Sequence, residues 1–194
     1  AARRWLKSKN APFDIAEFRA DLMGLEALCD GALCGEARRM GRPALLTVRS
    51  TREGGAWGGA PAGLLDFYAR LLPLVSAIDV EIQSPVFKQA ARMARAMGKT
   101  VVASFHDFDR TPPAARLRQI VKKGRAGGAH IVKMACRVRN QKDLLPLFEA
   151  LREVEAGPLC VIGMGEAGLI TRIALPCAGS CLAYGALEAA TAPG

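Results

Sequence analysis

The sequence predicts an α/β fold, a (β/α)8 barrel of the TIM type that lacks its first strand and last helix in this chain. Three observations predict it. Short apolar runs alternate with amphipathic segments along the whole length, strand then helix at roughly 20–35 residues, the signature of right-handed βαβ units on a parallel sheet. Glycines punctuate the returns from helix to strand, at Gly98, Gly127, Gly128 and Gly157. Within each run the residues alternate, one face aliphatic and the other polar, strand after strand.

Taken in order, the strand-like runs are FDIAEFRA (13–20), ALLTVRS (44–50), AIDVEIQ (77–83), TVVASFHDF (100–108), HIVKMAC (130–136), PLCVIGMG (158–165) and SCLAYGAL (180–187), seven in all. The clearest amphipathic stretches are 112–126, which opens after Thr111 with Pro112 as a helix start, and 141–156. The opening AARRWLKSK reads as a helix already under way, and the chain stops at Ala192-Pro193-Gly194 with no closing element. Residues 1–194 therefore read as a single barrel domain trimmed at both ends, with two unpaired edges where the first strand would close it. A doubly wound open sheet is the other architecture with this alternation, but no glycine-rich phosphate loop follows any strand.

A period of two along the strands groups Phe18, Val48, Val80, Ile82, Val101, Ala103, Val132 and Met134 on the aliphatic face. The opposite face carries Glu17 and Arg19, Thr47 and Arg49, Asp79 and Glu81, Ser104 and His106, and Lys133. In a parallel barrel the aliphatic face meets the helices and the other points inward, where such barrels keep their active sites near the carboxyl ends of strands. Buried charges must pair or be hydrogen-bonded, so Glu17 is expected to pair with Arg19 or Arg49. A purely structural ion-pair network is the plain alternative for this face.

Composition narrows the function classes. The 194 residues are 51% hydrophobic and 23% charged, ordinary globular material with a net charge of +9. That charge admits nucleic acid, a membrane surface or small anions as partners. The basic residues are spread, however (Arg3 and Arg4, Arg38 and Arg39, Lys122 and Lys123, then Arg137, Arg139 and Lys142), and only 6% of residues are aromatic. No nucleic-acid partner is expected. No apolar run reaches the ~18 residues of a membrane span, and no signal peptide is visible, so no membrane partner is expected either. Six cysteines, at 29, 34, 136, 160, 177 and 181, show no Cys-x-x-Cys pairing and no histidine at ligand spacing. Cys136, Cys160 and Cys181 lie in or beside apolar strands and read as buried reduced thiols, which suits a reducing, cytoplasmic compartment.

Two residues stand out against this background: His106 in TVVASFHDF and Lys133 in HIVKMAC. Lysine is almost never fully buried without a reason, and Lys133 is flanked by Ile131, Val132, Met134 and Ala135. A neutral lysine amine attacks a ketone or aldehyde to form an imine, and desolvation and nearby cations such as Arg49 and Arg172 keep a fraction uncharged near neutrality. The protonated imine acidifies the neighbouring carbon. His106, one strand earlier, is then the natural general base and later acid, and Glu53 is placed to orient its imidazole. The residues suggest proton abstraction alpha to a carbonyl through a Schiff base, on an anionic substrate held by arginines, with no metal set or cofactor fingerprint. Plainer readings stand beside this one: His106 as a core histidine satisfied by Asp107 or Asp109, Glu53 as a loop carboxylate, and His130 as an exposed residue beginning its strand.

Four segments, LLTVRSTREGG (45–55), ASFHDFDRTP (103–112), GAHIVKMA (128–135) and GMGEAGLITRIA (163–174), together with FDIAEFRAD (13–21), resemble the type I 3-dehydroquinate dehydratases of the shikimate pathway, the route to the aromatic amino acids. The resemblance implies a β/α barrel, commonly a homodimer, that dehydrates 3-dehydroquinate to 3-dehydroshikimate without metal or cofactor. It implies Lys133 as the Schiff-base lysine, His106 as the proton-transfer residue and Glu53 as the carboxylate that orients it. It implies substrate contacts from Glu17, Arg19, Arg49 and Arg172, with Arg172 on the substrate carboxylate, and from Met164 lining the pocket. Thr191 stands where the family closes its pocket with a serine, and the glutamine that usually follows is missing because the chain ends at Gly194. Another Schiff-base, aldolase-like barrel enzyme and a non-catalytic anion-binding barrel fragment are the competing expectations.

Overall fold

The computed structural model describes residues 12–23, 35, 39, 41–152 and 157–186. They fall into two compact units, one of residues up to Val80 with Ser84–Val101, the other of Glu81–Gln83 with residues from Val102 onward. Each has its own parallel strands with helices between them.

In the first unit, β1 (Ala16–Arg19) leads into a single turn, α1 (Ala20–Met23), and β2 (Ala44–Thr47) into a 3-10 turn over Thr51–Glu53. Then come α2 (Pro61–Leu71), β3 (Ala77–Glu81, its last residue belonging to the other unit) and α3 (Phe87–Ala96). β1 pairs with β2 and β2 with β3, all parallel, with Phe18 opposite Leu46 and Leu46 opposite Ile78. These three are buried, so the aliphatic face is the one the alternation predicts. α2 begins with proline at its first position, where the missing N–H costs nothing. It buries Leu64, Phe67, Tyr68 and Leu71, one stripe at helical spacing. The fully buried Tyr68 donates its hydroxyl to the Asp79 carbonyl at 3.0 Å, pinning α2 to β3. α3 buries Phe87, Ala90, Ala91 and Ala94 at the same spacing, its small residues allowing close approach.

The second unit runs β4 (Thr100–Asp107), α4 (Ala114–Ala126), β5 (Ile131–Arg137), α5 (Leu144–Arg152), β6 (Leu159–Met164) and α6 (Thr171–Cys177), the first two residues of β4 belonging to the other unit. β4, β5 and β6 pair in that order, parallel throughout. Val132 and Met134 are buried beneath the helices, and α4 presents Leu117, Ile120, Val121 and Gly124 to the sheet. A Cβ on Gly124 would stand 2.8 Å from a Val132 methyl, so the glycine sets how closely helix and sheet approach. α4 starts two residues after the expected Pro112, with Pro113 as its N-cap, and residues 141–152 form a 3-10 turn followed by α5.

Six strands are present among the described residues, and the expected seventh, SCLAYGAL, is not one of them. Residues 181–186 run without regular structure along β6. Cys181 N does reach the Leu159 carbonyl at 2.7 Å. The next β6 amide, Val161 N, instead donates to the Ser180 hydroxyl at 2.9 Å, and the Cys160 thiol takes the Leu182 carbonyl. Side chains have occupied the positions a ladder needs. For the same reason Cys181 is exposed rather than buried, whereas Cys136 and Cys160 are buried free thiols as expected. Burial pushes the Cys136 thiol well above its ordinary range. Cys29, Cys34, the opening AARRWLKSK and Thr191 lie outside the described residues.

Candidate active site

Strand register decides which side chains of the second unit share the polar face. Ser104 pairs with Lys133 and Lys133 with Cys160; one pleat further, His106 pairs with Ala135 and Ala135 with Ile162. Lys133 and His106 therefore point to the same side from neighbouring strands, on a diagonal of about 8 Å between backbones. Two long side chains span that separation readily. Met164, opposite Arg137, lies one pleat further again and packs with Ala135, Cys160 and Ile162 in an apolar cluster.

Lys133 is only 5% exposed. Its Nζ stands 3.9 Å from the centre of the Tyr184 ring, a cation–π contact, and Tyr184 packs against the Ala135–Met164 cluster. His106 is half-buried, its imidazole 6.2 Å from the Phe108 ring and 17° from parallel to it. Asp107 Oδ1 accepts the amides of Asp109 and Arg110, each at 3.0 Å, and so turns the chain out of β4. The loop is tied to the end of β5 by Thr111, whose hydroxyl donates to the Arg137 carbonyl at 2.9 Å. Arg172 is placed by the residue before it. Thr171 Oγ1 accepts from Gly163 N at 3.0 Å and donates to the Gly168 carbonyl at 2.6 Å, locking the start of α6 over the end of β6. Arg172 Nη1 then donates to the Tyr184 carbonyl at 2.8 Å. His130 is exposed, as expected.

The first unit holds the remaining described candidates. Arg49 is 3% exposed just beyond β2; its Nη2 meets Asp79 Oδ1 at 2.9 Å and its Nη1 lies 3.8 Å from Glu53 Oε2. Asp79 is wholly buried, so this is an interior ion pair. Glu53 is held by the turn that carries it. Gly54 adopts φ +76°, and a Cβ on Gly55 would lie 2.1 Å from the Arg49 carbonyl oxygen, which only glycine permits. That same oxygen accepts the Trp57 amide at 3.0 Å.

The expected pairing of Glu17 is corrected here. Glu17 Oε1 accepts the Thr47 hydroxyl at 2.6 Å, while Arg19 makes a two-pronged contact to Asp21, Nε–Oδ1 2.9 Å and Nη2–Oδ2 2.8 Å. Arg19 and Glu17 alternate with Phe18 on one strand, and the next acidic residue around the α1 turn reaches the guanidinium with the better fork geometry. Asp21 Oδ2 also accepts the Ala56 amide at 3.1 Å, fastening the Glu53 turn to α1. Burial opposes ionisation of Asp21, but Arg19 and the amides of Ala56 and Arg49 outweigh it and hold the carboxyl below its usual range.

Sequence reasoning placed Asp79 on the polar face without its role, and it missed Asp21 and Tyr184. Asp21 was legible as the acid two residues after Arg19. Tyr184 was hidden by the reading of its segment as a strand. Among the described residues no group of three or more His, Cys, Asp or Glu is arranged to hold a metal ion, and no helix is long and apolar enough to cross a membrane.

Parallel strands followed by helices, with buried charges gathered on the sheet face away from those helices, define an enzyme scaffold of the β/α-barrel class. A family model for type I 3-dehydroquinase matches residues 2–194. The 3-dehydroquinate dehydratase of Methanosarcina barkeri is 36% identical over 192 residues, which cover 93% of this chain and 79% of that protein. Among solved structures, 3-dehydroquinate dehydratase from Geobacillus kaustophilus matches at a TM-score of 0.87 and 27% identity, covering 99% of this chain and 79% of that one. The type I enzyme from Clostridium difficile, solved with covalent modified comenic acid, matches at a TM-score of 0.86 and 27% identity over 94% of this chain and 77% of that one. The chain belongs to the type I 3-dehydroquinase family.

Proposed function

We propose that the protein dehydrates 3-dehydroquinate to 3-dehydroshikimate through an imine on Lys133. The observation that carries this reading is a lysine 5% exposed on the same sheet face as His106, one strand and one pleat away. Lys133 Nζ adds to the ketone and the carbinolamine loses water to give the imine. His106 takes a proton from the adjacent carbon, the electrons of that C–H bond pass into an enamine, and the beta hydroxyl leaves as water with the proton from His106. Hydrolysis of the product imine frees Lys133. The balance is one water lost from the substrate, with no oxidant or reductant.

Arg172 is proposed to take the substrate carboxylate: it is half-buried at the start of α6, and its guanidinium carries a planar fork of donors suited to a carboxylate. Glu17, Arg19, Arg49 and Met164 are proposed to contact substrate, Thr191 to close over it, and Glu53 to orient His106, roles supported by the segments that carry the family resemblance. A homodimer and a cytoplasmic setting belong to the same reading; sedimentation of the full protein checks the first.

Borohydride reduction in the presence of 3-dehydroquinate, followed by peptide mass spectrometry, tests the mechanism. A reduced adduct on the peptide containing Lys133 is the expected result. Folded protein that turns over substrate without any adduct would remove lysine from the chemistry.

A further inference from the structure

Glu17 and Arg19 carry opposite charges on the same face of β1, two residues apart, and both are proposed above to meet substrate. Register draws them closer than the strand alone would. Thr47 stands opposite Arg19, not opposite Glu17, yet its hydroxyl donates to Glu17 Oε1 at 2.6 Å. The Glu17 carboxylate therefore leans one pleat along the sheet, to the level of Arg19. A carboxylate and a guanidinium side by side in a half-buried place attract each other. What takes the guanidinium instead is Asp21, whose two oxygens meet Arg19 Nε at 2.9 Å and Nη2 at 2.8 Å. The Asp21 side chain is wholly buried and also accepts the amides of Ala56 and Arg49. Those backbone donors fix its oxygens where a planar guanidinium matches them.

We propose that Asp21 is a positioning residue that keeps Arg19 and Glu17 from pairing with each other. Paired, the two would satisfy one another and leave less of each for a ligand. Kept apart, they offer an acceptor on Glu17 and a donor on Arg19 Nη1, which lies outside the fork. A ring bearing several hydroxyls calls for that combination, because each hydroxyl both donates and accepts. Asp21 itself touches no substrate and acts through its neighbours. This rests on the assignment of Glu17 and Arg19 to substrate contact made above.

The test is steady-state turnover of 3-dehydroquinate by the full chain and by Asp21→Asn, Glu17→Gln and the double variant, each checked for native circular dichroism. A crystal structure of Asp21→Asn accompanies it. Asparagine keeps the size of the side chain but not the charge that holds the fork. In that crystal structure Arg19 is expected to turn to Glu17. KM is expected to rise about tenfold with kcat little moved, the loss of a hydrogen bond to a charged group in binding alone. Beside Glu17→Gln no carboxylate awaits Arg19, so the added Asp21→Asn is expected to raise KM by no more than about twofold. A purely structural Asp21 would raise KM by the same factor in both backgrounds.

Equal factors in the two backgrounds overturn the positioning role, and so does an Asp21→Asn crystal structure with the Arg19 guanidinium unmoved. Should Asp21→Asn fail to fold, Arg19→Lys takes its place, since an ammonium cannot make the two-pronged contact. It is expected to raise KM more in the unmodified background than beside Glu17→Gln, and equal rises overturn the proposal. If the unmodified chain turns over no 3-dehydroquinate, or Glu17→Gln leaves KM unmoved, it is the function proposed above that fails. The crystal structure of Asp21→Asn still decides whether Asp21 keeps the pair apart, so the two failures are read separately.

Discussion

Lys133 and Ser104 are register partners across the parallel β4–β5 ladder, which places His106 two residues beyond the lysine's level on the same face. That relation separates the two proposed roles in space: the amine lies deeper, and the imidazole nearer the carboxyl ends of the strands. In the proposed imine, a substrate carbon beside the lysine nitrogen would have to extend toward the strand ends to meet the histidine.

His106→Ala is therefore expected to leave imine formation intact and to stop proton transfer. Borohydride should still label the Lys133 peptide, while turnover falls about 10²- to 10⁴-fold, the usual reach of general acid–base catalysis. Near-normal turnover in this variant would falsify the assignment of the base.

Lys133→Met keeps the stem volume and removes the buried amine. Activity and labelling should vanish together. Stability should hold or rise, because an apolar replacement of a buried charge is often neutral or favourable by about 1–4 kcal/mol. Thermal unfolding checks this; a large drop would show the lysine to be a structural member of the core.

Asp79→Ala leaves Arg49 buried without the carboxylate it meets at 2.9 Å. Breaking such an interior pair costs about 3–5 kcal/mol, and the loss should appear in urea unfolding. Glu53 should lose definition with it, since Arg49 lies between the two carboxylates. Unchanged stability would place the pair among interactions that contribute little.

Asp21 ties acid sensitivity to the Glu53 turn. Its carboxyl is held below the ordinary carboxylate range, so the native state favours the ionised form. Its contribution is present above the unfolded value and is lost as pH falls through the lower folded value. Asp21→Asn should be less stable than the unmodified chain at pH 7, with the difference shrinking below about pH 4. Urea unfolding at both pH values measures it; a difference that grows on acidification contradicts the sign.

The alternation of Phe18, Val80, Val101 and Val132 against Thr47, Asp79, Ser104 and Lys133 made the two faces of the sheet legible from the chain alone. A period of two needs no partner strand to be read, and all eight residues proved buried with the segregation intact. Family resemblance named the candidate residues, because His106, Lys133 and Arg172 each lie in a short contiguous segment. The seventh strand failed on the same kind of evidence. SCLAYGAL has a strand's composition, but whether a segment joins a ladder depends on the neighbouring edge, and there Ser180 and Cys160 side chains hold the hydrogen bonds.

Pairing was beyond local reading for a similar reason. Glu17, Asp21, Asp79 and Glu53 are all acids near arginines in sequence or register, and nothing in composition ranks them. The α1 turn brings Asp21 to Arg19, and the β2–β3 register brings Asp79 near Arg49. Periodicity established which residues face inward, and motif named those proposed to carry chemistry, because both are properties of short stretches. Which carboxylate meets which guanidinium, and that Tyr184 lies over Lys133, were decided by folding. Those contacts join positions up to 51 residues apart, and their geometry exists only once strands, turns and the trailing segment have packed.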